Sequence, residues 1–124
     1  KYPDINIIVQ PCDNRTFKNN EYSEFGAKIS EDLNSCDLLF GVKEVDVKRL
    51  IPNKDYIFFS HTYKLNKETL SNAQGTPGMD KKELLKSILS KKIKLIDYEH
   101  LRAAKGARYL GFGRFAGIVG CIIL

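Results

Sequence analysis

The sequence has 124 residues, a formal net charge of +5 and three cysteines. That length allows one domain with a single buried core. The charge comes mostly from lysines spread along the chain, so it reads as a solvated surface rather than a nucleic-acid face. Cys12, Cys36 and Cys121 are odd in number and far apart, which excludes a disulfide framework and a metal-ligand pair and favours a reducing compartment.

The elements are predicted in chain order as follows. Ile5 to Val9 forms a short strand closed by Pro11. Asn19 or Asn20 caps a helix running through Glu21 to Phe25, and Gly26 ends it. Ser30-Glu31-Asp32-Leu33 is a weaker, second helix start. Asp37 to Val42 is a buried strand with Lys43-Glu44 at its carboxyl end. Asp46 to Leu50 makes one or two helical turns, and Pro52-Asn53 turns the chain into the next strand, Asp55 to Ser60. That segment is too short for a helix and rich in strand formers. His61, one of two histidines, falls where it stops.

Ser71 to Gly78 is rich in turn formers, and residues 66–79 are predicted to be an exposed loop that either hangs in solvent or covers a cleft. Asp80 and Glu83 make a capping-box-like start to a helix over 80–92, with Leu84, Leu85, Ile88 and Leu89 at helical spacing. Ile93 to Tyr98 is a further strand, with Glu99 at its carboxyl end. Arg108 to Phe112 is a last short strand. The run from Ala116 to Leu124 is apolar on every face and too short to cross a bilayer, which takes ~20 residues. It is expected to be a buried helix packed on sequence beyond this chain. No signal peptide opens the sequence, and no membrane partner is expected.

Strands alternating with helices predict an α/β fold, a parallel sheet with helices on both faces. Ligands of such sheets sit at the carboxyl ends of the strands. Right-handed crossovers bring those ends to one edge, so Lys43, His61 and Glu99 are predicted to meet there. A histidine titrates near neutrality, with an unperturbed pKa of ~6.5, and a lysine beside it can join in acid–base chemistry once desolvation lowers it from ~10.4. Such a trio suits proton transfer on and off an amine or carbonyl. Taken singly, each also fits an ordinary role: Lys43-Glu44 as a surface pair, His61 as a helix cap, Asp97 and Glu99 as solvated strand-end residues.

Two patterns are set aside. Gly111-Phe112-Gly113-Arg114-Phe115-Ala116 fits G-x-G-x-x-[GA], a dinucleotide fingerprint by pattern. Bulky Phe112 and Phe115 do not suit a phosphate turn, and the sequence holds no following strand with a ribose-binding acid. The same stretch faintly matches an aromatic RNA-stacking strand, which likewise needs elements after it.

Four motifs in order support a resemblance: Gly41-Val42-Lys43-Glu44, Phe58-Phe59-Ser60-His61-Thr62-Tyr63-Lys64, Leu95-Ile96-Asp97-Tyr98-Glu99 and Phe112-Gly113-Arg114-Phe115-Ala116-Gly117. The chain resembles the N-terminal domain of the alanine dehydrogenase/pyridine-nucleotide transhydrogenase superfamily. It is most similar to its lysine–2-oxoglutarate reductase branch, the lysine-forming saccharopine dehydrogenases. The likeness runs from Ile8 to Gly120 apart from the loop at 66–79.

The resemblance implies a Rossmann-like (flavodoxin-like) substrate domain over 1–115, incomplete at both ends, with 116–124 starting a helix toward a cofactor domain that lies outside this chain. It implies NAD or NADP bound mainly by that other domain, so no cofactor-binding or metal residue is expected here. It implies lysine, 2-oxoglutarate and saccharopine as substrates, with Lys43 and His61 as the acid–base pair, Glu99 tuning them, and Lys64 and Arg108 on the substrate side. The family's arginine-containing opening segment would precede Lys1. The 124 residues alone are expected to be inactive, and the compartment to be cytoplasmic, or mitochondrial in a eukaryote. Two other readings use the same motifs: a domain of alanine dehydrogenase or a relative acting on a small amino acid, and a non-catalytic, transhydrogenase-like binding domain.

Overall fold

The computed structural model describes residues 4–62, 81–111, 113, 115 and 118. The chain divides into two compact units, Lys1–Leu39 and Phe40–Leu124.

In the first unit, β1 (Ile8–Val9) and β2 (Lys28–Ile29) pair in parallel, with Ile8 opposite Lys28 and Val9 opposite Ile29. The helix α1 (Asn19–Glu24) connects them. Its expected asparagine cap is replaced by Lys18. The Glu21 carboxylate reaches back to accept from the Lys18 N–H at 2.6 Å, filling one orphan donor of the helix start. Asn19 is spent elsewhere: its Oδ1 accepts from Arg15 Nη2 at 2.7 Å and from the Cys12 N–H at 3.2 Å. Gly26, at φ +91°, ends the helix as expected, in a conformation that suits a residue without Cβ.

The helix start expected at Ser30 is not formed. Ser30 Oγ accepts from the Asp32 N–H, and Asp32 Oδ1 accepts from both the N–H and the side-chain amide of Asn34. Short polar side chains that bond their own backbone compete with the helix ladder, and here they win.

The second sheet has the order β3 (Leu38–Lys43), β4 (Asp55–Phe59), β5 (Lys94–Asp97). β4 and β5 are parallel, in a register from Asp55 opposite Lys94 to Phe58 opposite Asp97. Along β4 burial alternates: Tyr56, Phe58 and then Ser60 are buried, and the residues between them are partly open, as the two-residue period of a strand requires. The α/β character predicted from the sequence is therefore present, with parallel pairing in both sheets.

The helix α2 (Lys81–Ser90) joins β4 to β5 along the chain. Leu84 and Ile88, four residues apart, are its buried stripe. Leu89 is 69% exposed, so the apolar face is narrower than the sequence spacing suggested. The core of the second unit is completed by Leu50, Tyr56, Phe58 and Ile93. Burial pushes the Tyr56 phenol above its ordinary pKa, although its oxygen accepts from the Ile51 N–H at 2.9 Å.

Two short 3₁₀ turns follow β3 and β5, over Val47–Arg49 and Tyr98–His100. Each is capped by an aspartate. Asp46 Oδ1 accepts from the Lys48 N–H and Asp97 Oδ1 from the Glu99 N–H, both at 2.9 Å.

The strand expected over Arg108 to Phe112 is corrected. Arg108 forms a single antiparallel bridge with Arg102. The Ala103 N–H donates to the Ala107 carbonyl, and Gly106 sits at φ +81° between them. Residues 102–108 thus fold back as a tight turn, because Gly106 allows the reversal before a strand can develop. The loop at 66–79 and the Asp80 helix start lie outside the described residues. Of 116–124 only Ile118 is described, and within this chain it is 48% exposed. Among the described residues, no helix is long and apolar enough to cross a membrane.

Candidate functional site

At the carboxyl end of the β3-β4-β5 sheet lies a cavity of about 290 Å³, lined by Val42, Lys43, Phe59, His61, Glu99, Arg108 and Gly111. That is just below the ~300–1,000 Å³ range of ligand pockets. Four residues singled out from the sequence, Lys43, His61, Glu99 and Arg108, share its wall. Lys64 lies outside the described residues.

Each arrives by a different local route. Lys43 is the last residue of β3. Two residues before it, Gly41 leaves space beside the Lys43 carbonyl of its own strand. A Cβ there would come within 3.0 Å of the Lys43 carbonyl oxygen and 3.6 Å of the Phe58 Cβ. His61 follows β4 and sits at φ +55°, a left-handed conformation uncommon outside glycine. Glu99 is placed by the Asp97-capped turn after β5. Arg108 comes in on the 102–108 turn rather than on a strand.

Glu99 is the hub. Its side chain is 3% exposed, whereas those of His61 and Arg108 are 42% and 43% exposed. Its Oε2 accepts from His61 Nδ1 at 3.0 Å, and its Oε1 lies 3.6 Å from Arg108 Nη1. A carboxylate oxygen only accepts, so Nδ1 carries the proton and Nε2 is left for another partner. Each carboxylate oxygen thus serves one cationic or donor group, which is how a nearly buried carboxylate is tolerated. Phe59 supplies an apolar wall, its ring stacked near that of His61 (6.4 Å between centroids) and tilted against Tyr98 (4.9 Å).

Glu44, beside Lys43, is ion-paired with Lys81 at the start of α2. Burial alone would raise its carboxyl pKa. The hydrogen bond and charge of Lys81, with a smaller contribution from His61, outweigh this and hold it below the ordinary value. Lys43-Glu44 is therefore not a simple surface pair: the two side chains are used separately, the lysine on the cavity and the glutamate on the helix.

Two contributors were not singled out as site residues. Ser60 is fully buried, and its Oγ donates to Asp97 Oδ2 at 2.5 Å. The signal was present in the β4 alternation, which puts Ser60 in line with Tyr56 and Phe58. Among the described residues, no group of three or more His, Cys, Asp or Glu side chains could hold a metal ion.

Comparison with known proteins agrees with the motif reading. The family model described as alanine dehydrogenase/PNT, N-terminal domain, matches residues 3–119. Over 116 residues, 94% of this chain, the sequence is 36% identical to an alpha-aminoadipic semialdehyde synthase of Arabidopsis thaliana, covering 10% of that protein. It is 34% identical over the same length to the mitochondrial alpha-aminoadipic semialdehyde synthases of Bos taurus and Rattus norvegicus, covering 11% of each. The chain thus spans about a tenth of the length of the curated relatives it matches. With a family match over nearly its whole length, and the family's four motifs in order, the chain belongs to the alanine dehydrogenase/PNT N-terminal domain family.

Proposed function

We propose that this chain is the substrate domain of an NAD(P)-dependent lysine–2-oxoglutarate reductase, the saccharopine-forming or saccharopine-splitting step of lysine metabolism. The observation that carries the reading is the convergence of Lys43, His61, Glu99 and Arg108 on one cavity at the strand ends. The relatives' name supports the branch.

In this reading Lys43 and His61 exchange protons with the reacting amine and carbonyl, His61 through Nε2. Glu99 holds the imidazole by Nδ1. The half-exposed Arg108 guanidinium receives a substrate carboxylate, for which its planar donor fork is suited. Phe59 and Val42 keep the cavity partly apolar, which strengthens these charge interactions. The hydride moves to or from NAD or NADP held by a separate domain. The 124 residues alone therefore do not turn over, and Lys64 adds a further substrate-side charge. The relatives from cattle and rat are named as mitochondrial, and the mitochondrion or the cytoplasm is the proposed compartment.

The test is NAD(P)H oxidation by the whole enzyme containing this domain. Lysine with 2-oxoglutarate should support turnover. Turnover with ammonia and a small 2-oxo acid, and none with lysine and 2-oxoglutarate, would instead identify an alanine dehydrogenase-like enzyme. No turnover with either pair would favour a non-catalytic binding domain.

A further inference from the structure

The left-handed backbone at His61 needs an explanation, because such a conformation costs on the order of 1–3 kcal/mol unless its surroundings hold it. The contacts on either side supply one. Ser60 Oγ is 2.5 Å from Asp97 Oδ2, 2.8 Å from Thr62 Oγ1 and 3.2 Å from the Thr62 backbone nitrogen. A serine hydroxyl has one proton. A carboxylate can only accept, so that proton goes to Asp97. Thr62 must then donate to Ser60 with both its hydroxyl and its N–H. The backbone is folded around a single buried oxygen, and His61 is the residue at the bend.

Asp97 is held just as closely. Its second oxygen accepts from the Glu99 N–H. One carboxylate therefore grips Ser60, immediately before His61, and the backbone of Glu99, the residue that binds His61 Nδ1. Ser60 and Asp97 are 37 positions apart, so the bond ties the ends of β4 and β5 together where both functional side chains leave the sheet.

We propose that Ser60 and Asp97 are a positioning pair, which fixes the His61–Glu99 hydrogen bond and so selects the Nδ1–H tautomer with Nε2 free for the cavity. Neither side chain lines the cavity, and both act through His61 and Glu99. The inference rests on the proposed function for its catalytic meaning, but the tautomer itself does not depend on that reading.

The protein has two histidines. A His100→Gln background leaves His61 as the sole imidazole, and long-range ¹H–¹⁵N correlation spectra of the full 124-residue chain, at a pH where the ring is neutral, report which nitrogen is protonated. The Nδ1–H pattern is expected. Ser60→Ala and Asp97→Ala should lose it, reverting toward the Nε2–H form favoured by a solvent-exposed histidine side chain, while far-UV circular dichroism shows a folded chain. Asp97→Asn should keep it, because the amide oxygen can still accept from the Glu99 N–H while the amide nitrogen donates to Ser60 Oγ, whose proton then turns to Thr62 Oγ1. Either alanine variant, if folded with the Nδ1–H pattern unchanged, overturns the proposal, and so does Asp97→Asn if it behaves like Asp97→Ala. Should both alanine variants fail to fold, Ser60→Gly on its own decides by the same signal.

In the whole enzyme, Ser60→Ala should lower kcat by ~10–100-fold, the range seen when outer hydrogen-bond partners are removed, with KM for lysine nearly unchanged. If replacing His61 leaves turnover intact, the functional reading fails while the tautomer result still stands.

Discussion

The second unit contains the same local device twice. After β3, Asp46 caps a 3₁₀ turn, and after β5, Asp97 caps another with the same 2.9 Å bond to the N–H two residues on. What surrounds them differs. The first turn is closed by Lys91, whose Nζ donates to the carbonyls of Val47 and Leu50 at 2.9 and 2.7 Å. The second turn presents a nearly buried carboxylate, Glu99, to His61 and Arg108. A capped turn after a strand is thus an aiming device. Whether it serves stability or chemistry depends on which side chain it carries and what meets that side chain.

The comparison can be broken by variants, and the largest effect is expected at Glu99. Glu99→Ala removes the acceptor shared by His61 and Arg108, and should lower turnover of the whole enzyme by ~10²-fold or more, the size of a lost positioned acid–base contact. Steady-state kinetics check this. A variant with normal kcat would mean that the second turn is no more functional than the first.

At the first turn the expected loss is in stability only. Lys91→Met leaves two backbone carbonyls without their charged donor, at ~1–3 kcal/mol. Denaturant unfolding should show that loss, with the His61 tautomer unaltered. Asp46→Ala removes the cap alone and should cost ~1 kcal/mol, taking helix N-caps as the guide. If Lys91→Met or Asp46→Ala altered the His61 tautomer, the two turns would not be independent.

The smallest effect concerns the Glu44–Lys81 pair. The Glu44 carboxyl is held below its ordinary value of 4.5 in the folded chain. Folding is therefore favoured by the ionised form. That contribution is fully present above about 4.5, the unfolded value, and is lost as pH falls through the lower folded value. Lys81→Met should reduce stability at neutral pH, and the difference from wild type should shrink on acidification below that point. A gap that stays constant down to the acid limb would contradict the pairing.

Much of this arrangement was legible in the sequence. Strand-forming runs at Asp37 to Val42, Asp55 to Ser60 and Ile93 to Tyr98 located the sheet, and the alternation with helices placed Lys43, His61 and Glu99 at one edge. Those signals are local and periodic, so they survive without knowledge of the fold. Arg108 was tied to the site by family resemblance, but on a strand that is instead a glycine-assisted turn, because a run of five residues says little about whether a partner strand exists. Ser30 to Leu33 misled for the opposite reason: its polar side chains are helix starters and helix competitors alike, and only the geometry shows which role they take. The Ser60–Asp97 bond was hidden by distance along the chain. Nothing in either residue's neighbourhood reveals a partner 37 positions away.

The central claim is that the cavity at the strand ends is where protons move during amine–carbonyl redox chemistry. The most direct measurement is single-turnover kinetics of the whole enzyme carrying His61→Asn or Lys43→Met, with lysine and 2-oxoglutarate saturating. The rate of NAD(P)H oxidation should fall by ~10²–10⁴-fold in each variant, while substrate binding, followed by calorimetry, is retained. Wild-type rates in both variants would contradict the claim.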